Sequence, residues 1–491
     1  MGYLVETEVI KPTDYRYEQC KELCTSAALL HNASLYEFRQ SFFAHREAVE
    51  SGLDGTDQEV NLLTYKELVA EFTRTNQPDY RRLPAKVAQT VVKGVANSFK
   101  SFYGARNAYY TRGDYKKAKE QRIPKYIKGD KLYVVEFNCQ TVKEDWSSGS
   151  NVTKHKGKVR YNYVICPKSL ALRFVAIHQI KTVKIVPCGT IFKLVKCYET
   201  DTCTSQQELL DNGLYVDNGN YAAIDLGANN LATMVNNVNF IPLLISGAQV
   251  KSVNRQYAKV DAKLKSYLDN TKKGGEKGKN RKSTRRLRKN AEKRNRGLNA
   301  LLHEYSRFIA NYLASWDIHT LYIGYNQGWK QGAKLGSRAN QNFVSIPHLR
   351  FVEMIEYKCA RLGIRVIRVS EWYTSKCSFL DGERICKHKE YAGERFKRGL
   401  FRTAKGIVWN ADVNAAWNIL CLGNTQVSQT LDRECVERFV VNPGVVRASN
   451  NPWSVGGSYD RMPTKYRKKL GNRFGENTSE DKLEKSLSRL S

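Results

Sequence analysis

The hydrophobic and polar positions of the first 110 residues change from a strand pattern to a helical one. Residues 4–10 alternate weakly before Pro12 and predict one short strand. Beyond it, apolar residues recur at intervals of three and four, and the clearest stripe carries a proline in its first turn. We therefore predict a first strand over residues 1–11 and a helical module over residues 12–110, with helices from Asp14, over Leu35–Val49, over Val60–Phe72 and over Leu83–Asn107.

The period then shortens to two. Three segments rich in β-branched and aromatic residues, Leu132–Asn138, Tyr161–Cys166 and Thr182–Tyr198, predict a small β-barrel or sandwich over residues 111–218. Glu8–Ile10 is a candidate edge strand of this sheet. The polar residues 205–219 are predicted to be a linker to the next domain.

A third region, residues 219–424, alternates strands and helices, which is typical of an α/β domain. After Thr425 the pattern fades, so residues 425–491 are predicted to be an extension with a largely disordered tail. The whole chain is therefore predicted to have a multidomain α+β fold. The elements expected in the third region are Tyr221–Asp225, Leu231–Val235, Thr320–Tyr325, Arg365–Val369 and Ile407–Asn410 as strands, and Arg281–Trp316, Pro347–Leu362 and Ala411–Leu422 as helices.

Charge narrows the function. The 491 residues contain 80 Lys and Arg against 48 Asp and Glu, a formal net charge of +32. Such an excess is typical of proteins that bind a polyanion, and nucleic acid is the default polyanion inside a cell. The sequence shows neither an apolar run long enough to span a membrane nor a signal peptide pattern, and its 12 cysteines form no tight framework. We expect a soluble intracellular protein that does not bind membranes.

The most basic stretch supplies candidate nucleic-acid contacts. Residues 251–300 contain 18 Lys and Arg and 4 Asp and Glu. The apolar spacing behind these charges favours a basic helical insertion over residues 251–316 that lies against phosphates. The candidate contacts there are Arg281, Arg285, Arg286, Arg288, Lys289, Lys293, Arg294 and Arg296.

Three carboxylates stand at the ends of predicted elements in this basic protein. Asp225 ends a strand beside Gly227, Glu371 follows the strand Arg365–Val369, and Asp412 opens a helix. Acids gathered at one edge of a sheet are typical ligands of Mg²⁺, and two such ions can activate water and stabilise the leaving oxygen of a phosphodiester. Each acid alone is weak evidence, since Asp412 could simply complement the helix dipole.

The motifs that surround these acids resemble one family. The hairpin Ala223–Gly227, the basic helix, the segment Thr374–Asp381 and the segment Asn410–Ala416 occur in the order found in the TnpB/Fanzor family of transposon-encoded RNA-guided DNA endonucleases, which is related to type V CRISPR effectors. The resemblance covers roughly residues 5–424. It implies a wedge β-barrel split around a helical recognition module, followed by an RNase H-like (RuvC) nuclease domain.

The same resemblance implies partners and site residues. It implies a structured guide RNA, a double-stranded target DNA with a short adjacent motif, and a monomeric ribonucleoprotein. Asp225, Glu371 and Asp412 would be the catalytic acids and would bind two Mg²⁺ ions. Most relatives carry the second acid at the end of the strand that corresponds to Leu321–Asn326, which has no carboxylate here; Glu371 matches the position used by others, with Glu353 and Glu356 in reserve.

A second departure concerns zinc. The family often has two C-x-x-C pairs between the last two acids, whereas residues 372–406 offer only Cys377, Cys386 and His388 without a convincing fourth ligand. We therefore expect a degenerate, zinc-ribbon-like insertion in which Zn²⁺ is unlikely. Its basic residues, Lys376, Arg398 and Arg402, are candidate nucleic-acid contacts.

Two other functions remain open from the sequence alone. One is a nuclease or transposase that needs no RNA, and the other is a catalytically inactive RNA-guided DNA-binding regulator. The basic cluster Lys465–Lys469 could be a nuclear localisation signal, which favours a eukaryotic Fanzor and the nucleus; otherwise we expect the cytoplasm or nucleoid.

Overall fold

The computed structural model describes residues 2–50, 62–112, 122–129, 131–147, 149–155, 158–165, 172–270, 284–326, 345–397, 399–440 and 443–447. They form two compact units, a first over Tyr3–Asp201 and a second that begins at Thr202. None of the described helices is both long and apolar enough to cross a membrane.

The helices of the first unit are α1 (Tyr17–Glu50), α2 (Tyr65–Arg74), α3 (Pro78–Arg81) and α4 (Ala85–Arg112). The expected break between the helices from Asp14 and over Leu35–Val49 is wrong, because α1 is continuous. The polar residues near the middle of α1 have hydrogen-bond partners. The Asn32 side chain both donates to and accepts from the Ile127 backbone, and Ser34 Oγ donates to the Leu30 carbonyl. The expected start at Val60 is also later, since Thr64 forms a capping box with Glu67.

The strands of the first unit form two sheets. One has the order β1-β8-β7-β2, and in the other β5 pairs with β3, β4 and β6. Both sheets and the helices contribute to one apolar core. The expected segment Thr182–Tyr198 is a hairpin of two strands, and β3, β4 and β6 were missed because they are short and carry polar residues. The bounds are β1 Gly2–Ile10, β2 Val135–Asn138, β3 Val142–Glu144, β4 Val152–His155, β5 Lys158–Ile165, β6 Leu172–Ala176, β7 Thr182–Cys188 and β8 Ile191–Thr200.

The second unit is built on a six-stranded sheet with the order β13-β12-β9-β10-β11-β17, in which β10 alone runs antiparallel to the other strands. The unit also contains a three-stranded sheet whose strands follow the order of the chain, β14-β15-β16. The strand bounds are β9 Tyr221–Leu226, β10 Asn230–Asn236, β11 Leu243–Ser246, β12 Thr320–Gly324, β13 Arg365–Val369, β14 Glu394–Lys397, β15 Leu400–Arg402, β16 Val408–Asn410 and β17 Gly444–Val446.

Helices cover both faces of the six-stranded sheet. Ala222 and Ile224 pack with apolar residues of α7 and α8, whereas their neighbour Ala223 packs with α9 on the opposite face. This alternation is what a strand buried on both faces requires. The helix bounds are α5 Gln206–Asp211, α6 Ala248–Asn270, α7 Arg285–Ser315, α8 His348–Ala360, α9 Ala411–Gly423, α10 Thr425–Thr430 and α11 Arg433–Val440.

Two sequence predictions about the boundaries of this unit are wrong. The expected linker 205–219 contains α5, whose Gln206 side chain bonds to the backbone of Glu356, Ile364 and Val366. The expected loss of structure after Thr425 is contradicted up to residue 447, because α10 and α11 follow and β17 joins the sheet parallel to β11. The remaining tail, with Lys465–Lys469, lies outside the described residues.

Candidate functional site

Asp225 lies where β9 approaches its turn into β10. The turn is tight: a Cβ built on Gly227 would stand 2.7 Å from the carbonyl oxygen of Asn230. Burial raises the pKa of Asp225 well above its usual value, and the charges of Glu371 and Asp412 raise it further. The three acids, 187 residues apart in sequence at most (Asp225 to Asp412), therefore lie within electrostatic reach of one another.

Glu371 follows β13, the strand at the end of the sheet next to β12. Asn326, just past β12, accepts hydrogen bonds at Oδ1 from the Glu371 backbone N–H (3.2 Å) and from Ser370 Oγ (3.1 Å). Burial raises the pKa of Glu371 to about 7. Its Oε1 atom is buried and has no hydrogen-bond partner among the described residues. This carboxylate is thus held in place by its backbone while its oxygen points at no protein donor.

Asp412 lies in the first turn of α9, which begins after Asn410. The Asn410 side chain accepts from the backbone N–H groups of Asp412 and Val413 and so caps the helix. Oδ2 of Asp412 accepts from Asn230 Nδ2 at 2.9 Å, and Oδ1 accepts from Arg395 Nη2 at 2.9 Å. Arg395 also opposes the rise in the pKa of Asp225. One guanidinium therefore acts on two of the three acids, Asp225 and Asp412.

Two buried asparagines on α9 connect Asp412 to the segment that follows Glu371. Asn418 Nδ2 donates to the carbonyls of Thr374 (2.8 Å) and Cys377 (2.7 Å). Asn414 donates to Cys377 and accepts from the Phe379 N–H. Both amides are fully enclosed by an apolar cluster, and Thr374 in turn donates from Oγ1 to the Glu371 carbonyl. The helix that carries Asp412 thereby fixes the loop that carries Glu371.

The chemistry of the three acids suits a divalent metal ion, although ligand atoms of all three do not lie within 4.8 Å of one another. Carboxylate oxygens are the ligands that Mg²⁺ prefers, and Glu371 offers a buried oxygen that has no hydrogen-bond partner among the described residues. The raised pKa values of Asp225 and Glu371 reflect acids whose charge the protein itself does not compensate. Among the described residues, Arg395 is the cation that acts on Asp225.

A second cluster of possible metal ligands lies in the segment that follows. Ligand atoms of Cys377, Glu383 and His388 lie within 4.8 Å of one another, and Cys386 Sγ is 3.4 Å from His388 Nε2. The sequence indicated no convincing fourth zinc ligand; Glu383 supplies one. Thiols, an imidazole and a carboxylate are ligand types that zinc accepts, but Cys386 lies outside the close group of three. The expectation from the sequence that Zn²⁺ is unlikely stays a prediction, and this geometry favours the opposite outcome.

The basic residues expected to contact nucleic acid separate into two groups on α7. Arg285, Arg286, Lys289 and Lys293 are exposed. Arg294 is not available in the same way: it donates to Asn254 Oδ1 (2.7 Å) and the Ser345 carbonyl (3.0 Å) and stacks over Tyr257. Arg294 therefore packs α6 against α7, and its contact with nucleic acid stays a prediction.

The remaining candidates are distributed as follows. Arg288 and Arg296 on α7 are partly buried. Lys376 is exposed and lies over the Tyr391 ring, and exposed Arg402 lies over the Phe396 ring. Arg281 and Arg398 lie outside the described residues.

Sequence reasoning missed the polar groups that hold the acids. Asn230, Asn326, Asn414 and Asn418 each contact an acid or its loop, and Arg395 pairs with Asp412. The amides of Asn414 and Asn418 could have been singled out, since four residues separate them on a helix that is otherwise apolar there. Nothing local marks Asn230 or Asn326, because their contacts depend on which strands become neighbours.

Two family models match parts of the sequence. Residues 212–330 match a family described as a probable transposase (OrfB_IS605), and residues 348–419 match the Cas12f1-like TNB domain. No curated protein matches the chain. Together the two matches span the β9–β12 region and the segment from α8 to α9, which includes all three acids.

Solved structures give a similar result for the fold. The chain is similar to a chain in a cryo-EM structure of a Cas12f1–sgRNA–target DNA complex, with a TM-score of 0.50 and 14% identity over 82% of each chain. It also matches the structure of the mini-RNA-guided endonuclease CRISPR-Cas_phi3, with a lower TM-score of 0.46 and 11% identity over 87% of this chain and 92% of that one. The family matches confirm the resemblance to TnpB-like proteins and type V effectors that the motif order indicated. The assignment to the eukaryotic branch of the family stays a prediction.

Proposed function

We propose that this chain, which is similar to TnpB proteins and type V effectors, is an RNA-guided, Mg²⁺-dependent endonuclease that cleaves both strands of DNA with one site. The observation that carries the proposal is the convergence of Asp225, Glu371 and Asp412, from two strand ends and a helix start, in a protein with a net charge of +32. Polyanion binding and an acidic metal centre together favour phosphodiester hydrolysis over any reaction of a small uncharged substrate.

The proposal includes the architecture of the second unit. The strand order β13-β12-β9-β10-β11 supports an RNase H-like (RuvC) arrangement. In this sheet β10, the second strand along the chain, runs antiparallel to its neighbours β9 and β11. The sheets of the first unit, with β1 separated along the chain from its neighbour β8 by the helices, support the wedge with an inserted recognition module. In this proposal the guide RNA, the target DNA and its adjacent motif are the partners, bound by a monomer.

The residues of the site would act as follows. Asp225, Glu371 and Asp412 hold Mg²⁺ through carboxylate oxygens, and two such ions would activate the attacking water and stabilise the leaving oxygen. Asn326 fixes the backbone of Glu371, and Asn230 orients the carboxylate of Asp412. Arg395 occupies the opposite oxygen of Asp412 and places a positive charge next to the position of a scissile phosphate.

Purification from cells that carry the native locus, followed by sequencing of the bound RNA, tests the guide. One discrete structured RNA that extends into sequence outside the gene is expected. Cleavage of DNA that matches its variable end should require Mg²⁺ and should be lost in Asp225→Ala with DNA binding retained. Heterogeneous RNA that salt removes would favour a protein-only nuclease, and guided binding without Mg²⁺-dependent cleavage would favour an inactive regulator.

A further inference from the structure

A group of basic side chains lies on α7 and α8. It consists of His303 and Arg307 on α7, and Arg350, Lys358 and Arg361 at the start, in the last turn and at the end of α8; we name it the Lys358 patch. Lys358 Nζ joins the two helices, since it donates to the His303 carbonyl (2.8 Å) and to Ser306 Oγ (2.6 Å). Helical spacing then places Arg307 one turn from His303 and Arg361 one turn from Lys358.

No carboxylate compensates this patch within the described part of the chain. Arg307, Arg350, Lys358 and Arg361 form no ion pair there, and the partners of Lys358 are neutral. Elsewhere on α8 the protein does compensate a cation, because Glu356 pairs with Arg368 at 2.6 Å. Clustering like charges without counter-ions is unfavourable, and its cost is removed when an anion binds.

We propose that the Lys358 patch binds the phosphodiester backbone of a nucleic-acid strand through residues that are not part of the three-acid centre. This inference rests on the proposed function, which brings nucleic acid to the second unit. Arg307, Arg350 and Arg361 are exposed and can contact phosphates through paired N–H groups, while Lys358 is partly buried behind them. Such contacts position a strand without reading its sequence.

The protonation of Lys358 provides a specific signature. Burial and the charges of Arg307 and Arg361 lower the pKa of Lys358 to about 7. His303 and Cys359, next to Lys358, stay uncharged at neutral pH, because the pKa of His303 is lowered to about 4 and burial raises the pKa of the Cys359 thiol. A bound phosphate favours the ammonium form, so binding takes up a proton and weakens as pH rises above about 7.

The carboxylates of the two helices do not explain the expected pH dependence of binding. Glu353 and Glu356 act on Arg368, at the side of α8 that faces β13, and Glu304 on α7 is absent from the charges that act on Lys358. Helix α5, which also packs on α8, contacts it through the neutral Gln206, and the α5 acids Glu208 and Asp211 are absent from the charges that act on Lys358. The pH signature therefore belongs to Lys358.

The test measures binding of the full-length protein, freed of nucleic acid by high salt, to a fluorescein-labelled 30-base-pair DNA of unrelated sequence. The triple variant Arg307→Ala/Arg350→Ala/Arg361→Ala should weaken binding about tenfold and reduce the slope of log K against log salt by about 3. The matched control removes three cations that already pair with Glu18, Glu71 and Asp79, namely Lys21→Ala/Arg74→Ala/Arg82→Ala, and should leave both nearly unchanged. Equal losses in the two triple variants would overturn the proposal.

A single substitution separates the patch from a general effect of charge and from misfolding. Lys358→Arg keeps a permanent cation, so it should retain binding at pH 6.5 and remove the decline of up to about tenfold per pH unit that the native lysine adds above its pKa. An unaltered pH dependence in this variant would refute the role of Lys358. Parallel assays with Asp225→Asn keep the two proposals distinct. If this variant loses cleavage but keeps the native salt slope, the loss concerns the three acids alone. If the native chain never cleaves DNA, the salt slope and the pH dependence of binding can still show the role of the Lys358 patch.

Discussion

Gly324, the last residue of β12, leaves the space that the Glu371 side chain occupies. A Cβ built on Gly324 would lie 3.3 Å from Cγ of Glu371 and 2.5 Å from Cδ1 of Ile419. Strand β12, near whose end the resembling family most often carries an acid, thus ends here in a residue without a side chain; in the proposed site Glu371 would supply the carboxylate instead. Asn326 holds the Glu371 backbone.

Gly324→Ala should therefore impair cleavage more than folding. The Ile419 tip can shift, but the new methyl group also crowds Glu371, and a displacement of about 1 Å at a reacting group can cost on the order of 100-fold in rate. We expect a fall of that order in the rate of Mg²⁺-dependent DNA cleavage, with a smaller change in melting temperature. Gly104→Ala is the matched control, since a Cβ there meets nothing within 4 Å. Full activity in Gly324→Ala would show that Glu371 does not need this space.

The metal-free protein should lose stability as pH rises between about 4.5 and 7. The pKa of Glu371 is raised from 4.5 to about 7 in the folded state, so the folded state holds the proton more tightly than the unfolded state. Stability from this group is complete below about 4.5 and is lost as the carboxyl ionises; one pKa unit corresponds to about 1.4 kcal/mol. Asp225 acts in the same direction.

Chemical denaturation in chelator at pH 5 and pH 8 measures this effect. Glu371→Gln cannot ionise, so it should lose less stability than the native protein over the same interval. Addition of Mg²⁺ should stabilise the native protein more at pH 8 than at pH 5, because metal binding requires ionised acids. Parallel pH curves for the native protein and Glu371→Gln would contradict the buried, uncompensated state of this carboxyl.

The sequence predicted the parts of the fold that depend on local pattern. Strand β9 and helix α9 carry strong apolar patterns, so the positions of Asp225 at a strand end and Asp412 at a helix start follow from the residues themselves. The sheet order and the contact of Asn230 with Asp412 do not, because they depend on pairing between segments far apart in the sequence. Strand β17 escaped prediction for the same reason: three residues become a strand only when β11 offers an edge.

Charge alone also failed to separate surface cations from structural ones. Lys293 and Arg294 are neighbours in the same basic run, and periodicity gives no reason to treat them differently as phosphate contacts. The difference arises from α6, which returns alongside α7 and presents Asn254 and Tyr257 to the guanidinium. An antiparallel packing partner of this kind cannot be recognised in a segment whose own pattern is mainly polar.

These two neighbours provide a matched test. Arg294→Ala removes charged hydrogen bonds to Asn254 and Ser345, each worth about 1.5–3 kcal/mol, and should lower the free energy of unfolding by at least one such amount. Lys293→Ala, at an exposed position, should change that free energy by less than about 0.5 kcal/mol. In DNA-binding titrations Lys293→Ala should reduce the salt slope by about 1. A stable Arg294→Ala variant with a reduced salt slope would show that Arg294 contacts phosphates rather than holding the two helices together.

The cluster of Cys377, Glu383, Cys386 and His388 leads to a prediction that departs from the expectation based on sequence spacing. Ligand atoms of Cys377, Glu383 and His388 lie within 4.8 Å of one another, and Cys386 Sγ lies 3.4 Å from His388 Nε2, so a small rearrangement would supply four donors and we expect the isolated chain to bind one Zn²⁺ here. Elemental analysis should give one zinc per chain, and a chelator should lower the melting temperature, because the ion stabilises the short loop between Cys377 and His388. Cys377→Ser and His388→Ala should lose the zinc, whereas Cys139→Ser, at an exposed position in the first unit, should retain it. Protein that carries no zinc and melts at the same temperature with and without chelator would show instead that the bonds from Cys377 Sγ to the Arg384 and Cys386 carbonyls, and from His388 to Arg384, are sufficient to hold this loop.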